Sequence, residues 1–113
     1  MPHLIIEHSE DLTHTFDTKA LMQCAHNAAV ESGLFGLSDI KVRAYPCANA
    51  LIAGNESSFL HVTIYLLSGR TAETKKALTT LVLNEFAKLG LDVSSLSVDA
   101  RDMDREVYSK ITR

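Results

Sequence analysis

The chain has 113 residues, of which 46% are hydrophobic and 22% are charged, and its formal net charge at pH 7 is −3. This length supports one hydrophobic core and leaves no room for a second, so we expect a single domain over residues 1–113. The acidic balance disfavours a nucleic-acid-binding protein, which needs clustered Lys and Arg. Neither a run of about 20 apolar residues nor a signal-peptide pattern is present, which predicts a cytoplasmic protein without membrane contact.

The first predicted strand covers residues 2–8, where Leu4 and Ile6 share one face with Pro2. If Met1 is removed, which the small residue Pro2 permits, the chain begins with a secondary amine. An α-amino group titrates near about 7.7–8.0, and apolar surroundings lower that pKa, so Pro2 is a candidate general base. The alternative is that Pro2 merely starts the strand, where its missing N–H costs nothing.

Each predicted element that follows shows either apolar residues at helical spacing or the strict alternation of apolar and polar residues that is typical of a strand. In chain order, they are a helix over about 18–32, a strand over 40–45, a strand over about 59–67, a helix that Thr71 caps and Gly90 ends, and a strand over 96–101. Residues 46–57 have loop character, and residues 107–111 are consistent with a turn or a short strand.

The two halves of the chain, about 2–45 and 58–101, repeat the same order of strand, helix and strand. A β-α-β unit normally forms a parallel strand pair with a right-handed crossover. We therefore predict a two-layer α+β fold, in which two β-α-β units form one four-stranded sheet with both helices on one face.

The sheet face without helices combines charged and aromatic side chains. Its predicted members are Lys41, Arg43, Tyr45, Phe59, His61, Thr63, Tyr65, Ser97, Asp99 and Arg101. A partly buried interface in a symmetric homo-oligomer accounts for both kinds of residue. The alternative is a sheet face exposed to solvent.

The two cysteines and five histidines do not indicate a disulfide or a metal site. Cys24 falls on the apolar face of the first helix and is predicted to be a small buried hydrophobic residue. Cys47 follows Pro46 in a predicted loop with no base beside it. We therefore expect neither a catalytic cysteine nor a bound metal.

Several stretches together resemble the 5-carboxymethyl-2-hydroxymuconate isomerase family. They are PHLIIE at 2–7, GLFGL at 33–37, IKVR at 40–43, and FLHVT at 59–63 leading to GRT at 69–71. The likeness covers nearly the whole chain. Residues 68–71 also resemble the strand-to-helix turn of 4-oxalocrotonate tautomerase, a member of the same superfamily.

The resemblance implies a tautomerase fold, a homotrimer without cofactor, and a catalytic N-terminal proline, here Pro2. The implied substrate is an unsaturated 2-hydroxy or 2-oxo acid with several carboxylates, formed in the aromatic catabolism of homoprotocatechuate. Lys41, Arg43 and Arg70 would bind this substrate. Lys41 stands where the family has arginine, and a lysine lacks the planar fork that grips a carboxylate with two bonds.

Two other functions are compatible with the same residues. One is a promiscuous enol–keto tautomerase that acts on phenylpyruvate-like acids. The other is a non-catalytic trimeric module that binds a small molecule, in which Pro2 takes no part in chemistry. Ultraviolet absorbance during incubation with a 2-hydroxymuconate separates an enzyme from a binding module.

Overall fold

Four strands and two α-helices make up the fold, and the computed structural model describes all residues from Met1 to Arg113. The elements in chain order are β1 (His3–Ser9), α1 (Thr18–Glu31), β2 (Lys41–Cys47), β3 (Phe59–Leu67), α2 (Ala72–Ala87) and β4 (Ser95–Met103). Two short 3₁₀ helices, Glu10–His14 and Leu37–Asp39, lie in the connections around α1. Neither α-helix combines the length and apolar composition that a membrane crossing requires.

The strands form one mixed sheet in the order β2-β1-β3-β4. Strand β1 runs parallel to β2 and antiparallel to β3, and β3 runs parallel to β4. At the start of β1, His3 lies opposite Lys41 on one side and Tyr65 on the other. The two predicted β-α-β units and their single four-stranded sheet are thus confirmed.

The hydrophobic core lies between the sheet and the two helices. Alternate residues of β1 and β3 point into it, as the period of two in the sequence predicts. The buried strand residues are Leu4, Ile6, Leu60, Val62, Ile64 and Leu66, and the buried helix residues are Leu21, Ala25, Ala28, Ala29, Leu78, Val82 and Phe86. Because both helices contribute to one cluster, they lie on the same face of the sheet, as predicted.

The helix boundaries follow local signals in the sequence. The side chain of Thr71 accepts a hydrogen bond from the backbone N–H of Thr74 at 3.1 Å, which caps α2 as predicted. Asp17 caps α1 in the same way through the N–H of Lys19 at 3.2 Å. Gly33 and Gly90 follow the two helices with φ of +71° and +70°, a left-handed conformation that glycine adopts without strain.

The prediction that a loop begins at Pro46 was wrong. Strand β2 continues through Pro46 and Cys47, where a loop was expected, because β1 extends alongside and pairs His8 with Pro46. Since β2 is an edge strand, the missing N–H of Pro46 is tolerated there. Of the two alternatives for residues 107–111, no strand forms, and a turn reaches Val107, whose N–H donates to the Asp104 carbonyl at 3.2 Å. The chain after β4 instead turns back toward the amino terminus, where Tyr108 Oη lies 3.0 Å from His3 Nε2.

Candidate active site

A cavity of about 260 Å³ lies at the end of the sheet where β1 begins. It is enclosed by the amino terminus, the connection before β2, the turn after β3 and the segment after β4. Its lining residues are Met1, Leu34, Phe35, Gly36, Asp39, Leu67, Arg70, Arg105 and Lys110. Three cations and one carboxylate therefore surround a small, partly apolar space.

The α-amino group at Met1 is held by the backbone of Asp39. It donates a hydrogen bond to the Asp39 carbonyl at 3.0 Å, and Lys41 Nζ donates to the same oxygen at 2.9 Å. Burial and the nearby charge of Lys41 lower the pKa of this amine below its ordinary value of 8.0, and the Asp39 carboxylate opposes them. The site therefore favours a neutral amine.

Pro2 lies next to this amine and its ring is fully buried. Its carbonyl accepts a hydrogen bond from the backbone N–H of Lys41 at 3.1 Å, which extends the β1–β2 pairing by one residue. While Met1 is attached, the nitrogen of Pro2 is a tertiary amide without a basic lone pair. The structure thus places Pro2 and Lys41 together, two of the residues that the sequence singled out.

Arg70 reaches the cavity from the turn between β3 and α2. Its Nη2 donates to the Leu34 carbonyl at 3.0 Å, and its guanidinium carbon lies 5.1 Å from the centre of the Phe35 ring. No carboxylate lies within 4.0 Å of this guanidinium. Arg70 is therefore oriented by neutral groups, and no carboxylate of the chain neutralises its charge.

Arg43 does not line the cavity. It lies on the outer sheet face, where its Nη1 is 3.1 Å from His3 Nδ1. Arginine can only donate, so His3 Nδ1 is the acceptor and the ring proton sits on Nε2, which donates to Tyr108 Oη. Arg43 is thus bound to a neutral imidazole beside the amino terminus and is separate from Arg70.

Three residues around the cavity, Asp39, Arg105 and Lys110, were not among the residues predicted from the sequence. Lys110 Nζ lies 2.8 Å from Asp39 Oδ1, and this bond, together with the charge of the amino terminus, lowers the pKa of the Asp39 carboxyl. Arg105 Nε and Nη2 both donate to the Ser68 carbonyl, at 3.1 and 3.0 Å. These contacts join residues far apart in the sequence, and no motif in the segment after β4 indicates them.

A second and larger depression, of about 780 Å³, lies beside the other end of β1. Its lining includes Glu10, Asp11 and Glu56 but no Lys or Arg. A hydrogen bond from Ser58 Oγ at 2.7 Å lowers the pKa of Asp11, which keeps this carboxylate ionised. Such a surface repels organic acids, so the cationic cavity is the better candidate for the site of an acid substrate.

Neither cysteine has the surroundings of a nucleophile. Cys24 is half-buried against the core, and burial, with a smaller effect of Glu85, raises the pKa of its thiol to about 11. Cys47 is half-buried at the end of β2. No three His, Cys, Asp or Glu side chains are grouped to hold a metal ion.

The fold, two β-α-β units in one four-stranded sheet, is tautomerase-like. The family model described as 5-carboxymethyl-2-hydroxymuconate isomerase matches residues 2–110. The chain therefore belongs to the 5-carboxymethyl-2-hydroxymuconate isomerase family, as the resemblance predicted. No curated protein matches the sequence significantly.

Solved structures agree on the fold at low sequence identity. A 5-carboxymethyl-2-hydroxymuconate delta-isomerase is 19% identical with a TM-score of 0.77, covering 100% of this chain and 89% of its own. A 5-carboxymethyl-2-hydroxymuconate isomerase from Deinococcus radiodurans R1 is 23% identical with a TM-score of 0.75, at coverages of 99% and 90%. A fused 4-OT, solved as a symmetric trimer, is 24% identical with a TM-score of 0.70, at coverages of 96% and 89%.

The surroundings of His3 predict its titration. Burial, then the charges of Arg43 and Lys41, lower its pKa below the ordinary 6.5. As the pH falls, His3 is therefore protonated at a higher pH in the unfolded state than in the folded state. The free energy of unfolding thus decreases as the pH falls below about 6.5. In an NMR titration, we expect the His3 ring protons to have a midpoint below 6.5, and Arg43→Gln to raise it. Arg101→Gln is the control, because Arg101 bonds Asp99 on the same face. A wild-type midpoint at or above 6.5 contradicts this assignment.

Proposed function

We propose that this chain is a cofactor-independent tautomerase whose base is Pro2 after removal of Met1. Its substrate would be an unsaturated 2-hydroxy or 2-oxo acid with several carboxylates, such as the 5-carboxymethyl-2-hydroxymuconate for which the family is described. The observation that carries this proposal is a buried amine beside a cavity that also holds the guanidinium of Arg70. We also propose that the chain acts in aromatic catabolism, as the family resemblance implies, and in the cytoplasm.

The amine environment supports the assignment of the base. Burial and Lys41 already lower the pKa of the amine at Met1. After removal of Met1, the new amine belongs to Pro2, whose ring is fully buried next to the same lysine. The same two effects then shift the secondary amine toward its neutral form, the state required of a general base.

The proposed reaction moves one proton and leaves the composition of the substrate unchanged. Neutral Pro2 takes a proton from the enol or the carbon skeleton, which leaves a dienolate and a prolinium ion. The prolinium then returns the proton at a vinylogous carbon. Arg70 holds a carboxylate and Lys41 polarises the 2-oxo oxygen, so that both stabilise the negative charge that develops between the two transfers.

The charge of the cavity supports an acid with more than one carboxylate. Its lining carries Arg70, Arg105 and Lys110 against the single carboxylate of Asp39. A phenylpyruvate-like acid would leave part of this positive charge without a partner. Tautomerisation of such acids is therefore the second candidate, and it shares the same base.

Arg43 would act at the border between subunits. It is exposed on the outer sheet face next to His3, which adjoins the amino terminus. In a trimer built on this face, Arg43 would lie near a site that two subunits share. A substrate-binding role for Arg43 thus depends on assembly.

We predict a homotrimer of the 12.4 kDa chain that is held by the outer sheet face. Ile5 is half-buried at the centre of this face, between Arg43 and Thr63, and an added charge there would be costly to bury. Light scattering should give three times the chain mass for the wild type and a smaller mass for Ile5→Lys. Ile111→Lys is the matched control, because Ile111 is 79% exposed. A wild-type monomer at micromolar concentration would contradict the trimer.

We predict that activity requires the loss of Met1. Intact-mass measurement on active protein should show a chain one methionine lighter, and a sample verified to retain Met1 should not convert 2-hydroxymuconate in the ultraviolet assay. Pro2→Ala without Met1 leaves a primary amine and should be slower, because the secondary amine and its fixed ring geometry are both lost. Full turnover by protein that carries Met1 would exclude the proline mechanism and favour a binding module.

Arg70→Ala should lower kcat/KM. Loss of a charged hydrogen bond to a carboxylate costs about 1.5–3 kcal/mol, a fall of about 10- to 150-fold in kcat/KM. Arg113→Ala removes an exposed arginine at the chain end and serves as the control. Equal values of kcat/KM for the Arg70 variant and the wild type would remove Arg70 from the site.

A further inference from the structure

The segment after β4 returns to the cavity and adds a second guanidinium to it. Arg105 and Lys110 both line the cavity, although they lie far from Arg70 in the sequence. Tyr108, between them, bonds His3. The segment is thus attached at three points around the start of β1.

Arg105 is held in place without being neutralised. Its Nε and Nη2 donate to one carbonyl oxygen, that of Ser68, and its backbone N–H lies 3.3 Å from Ser68 Oγ. A guanidinium has five N–H donors, so the Nη1 side of the group remains available for a carboxylate. No carboxylate of the chain lies within 4.0 Å of it.

Lys110 differs from Arg105 in this respect. Its ammonium group is paired with Asp39 Oδ1 at 2.8 Å, and this contact fastens the segment to the connection before β2. Its charge is therefore already compensated. The free positive charge of the cavity lining resides on Arg70 and Arg105, each oriented by a backbone carbonyl.

We propose that Arg105 is a specificity-determining residue that binds a second carboxylate of the substrate while Arg70 binds the first. This inference rests on the proposed function, and it assigns the preference for dicarboxylates over monocarboxylates to the segment after β4. An acid with one carboxylate engages only one of the two guanidinium groups. An acid with a carboxylate at each end engages both.

Equilibrium binding of two matched ligands tests this assignment. Muconate and sorbate share a six-carbon diene chain but carry two carboxylates and one, and both lack the 2-hydroxyl group that tautomerisation needs. Calorimetric titration of Met1-free protein should show that muconate binds about 10- to 100-fold more tightly than sorbate. This ratio of dissociation constants is the one expected from one additional charged hydrogen bond. Arg105→Gln should abolish most of this ratio, and Arg105→Lys should restore part of it.

Arg113→Gln is the matched control, because it removes the same charge from the same segment at an exposed position outside the cavity. It should keep the ratio of the wild type. A ratio that Arg105→Gln leaves unchanged would overturn the proposal, and so would an equal loss of affinity for both ligands, which would indicate a structural role at Ser68. Because neither ligand is converted, this result is independent of the turnover assay that tests the proposed function.

Discussion

The pairing of β1 on both of its edges is the constraint on which the candidate site depends. Termini are commonly loose, but here the backbone is held from Pro2 onward by β2 and β3. The hydrogen bond between the Pro2 carbonyl and Lys41 fixes the register of the parallel pair. This register brings the connection before β2 against the amino terminus, so that Asp39 and Lys41 surround the amine.

Asp39 connects the terminal amine, Lys41 and Lys110 at that position. Its carbonyl accepts hydrogen bonds from the terminal amine and from Lys41, and its carboxylate pairs with Lys110. The Asp39 carbonyl holds the amine and the Lys41 ammonium group without adding a charge. The single negative charge of the Asp39 carboxylate offsets only part of the surrounding positive charge. The result is an electropositive end of the sheet, whereas the opposite end of β1 is bordered by carboxylates. An organic acid is drawn to the first end and repelled from the second.

The arginines of this region differ in what holds them, and this difference separates their roles. Arg70 and Arg105 are bound to backbone carbonyls, and no carboxylate of the chain pairs with either guanidinium. Arg43 is bound to a neutral imidazole on the outer face, and Arg101 is paired with Asp99 on that face.

The sequence by itself determined the elements and their layers. Alternation in β1 and β3, the cap at Thr71 and the glycines after the helices are local signals, and the repeat of the two halves led to the sheet with both helices on one face. The apolar strand at the start of the chain indicated Pro2 as a candidate base, and the family resemblance added Lys41 and Arg70. Only the tertiary structure showed that β2 continues through Pro46. Pairing with β1, rather than the strand propensity of these residues, extends β2 there. The tertiary structure alone placed Arg105 and Lys110 at the cavity and Arg43 beside His3, because contacts between residues so far apart in the chain have no period or motif and arise only when the elements pack.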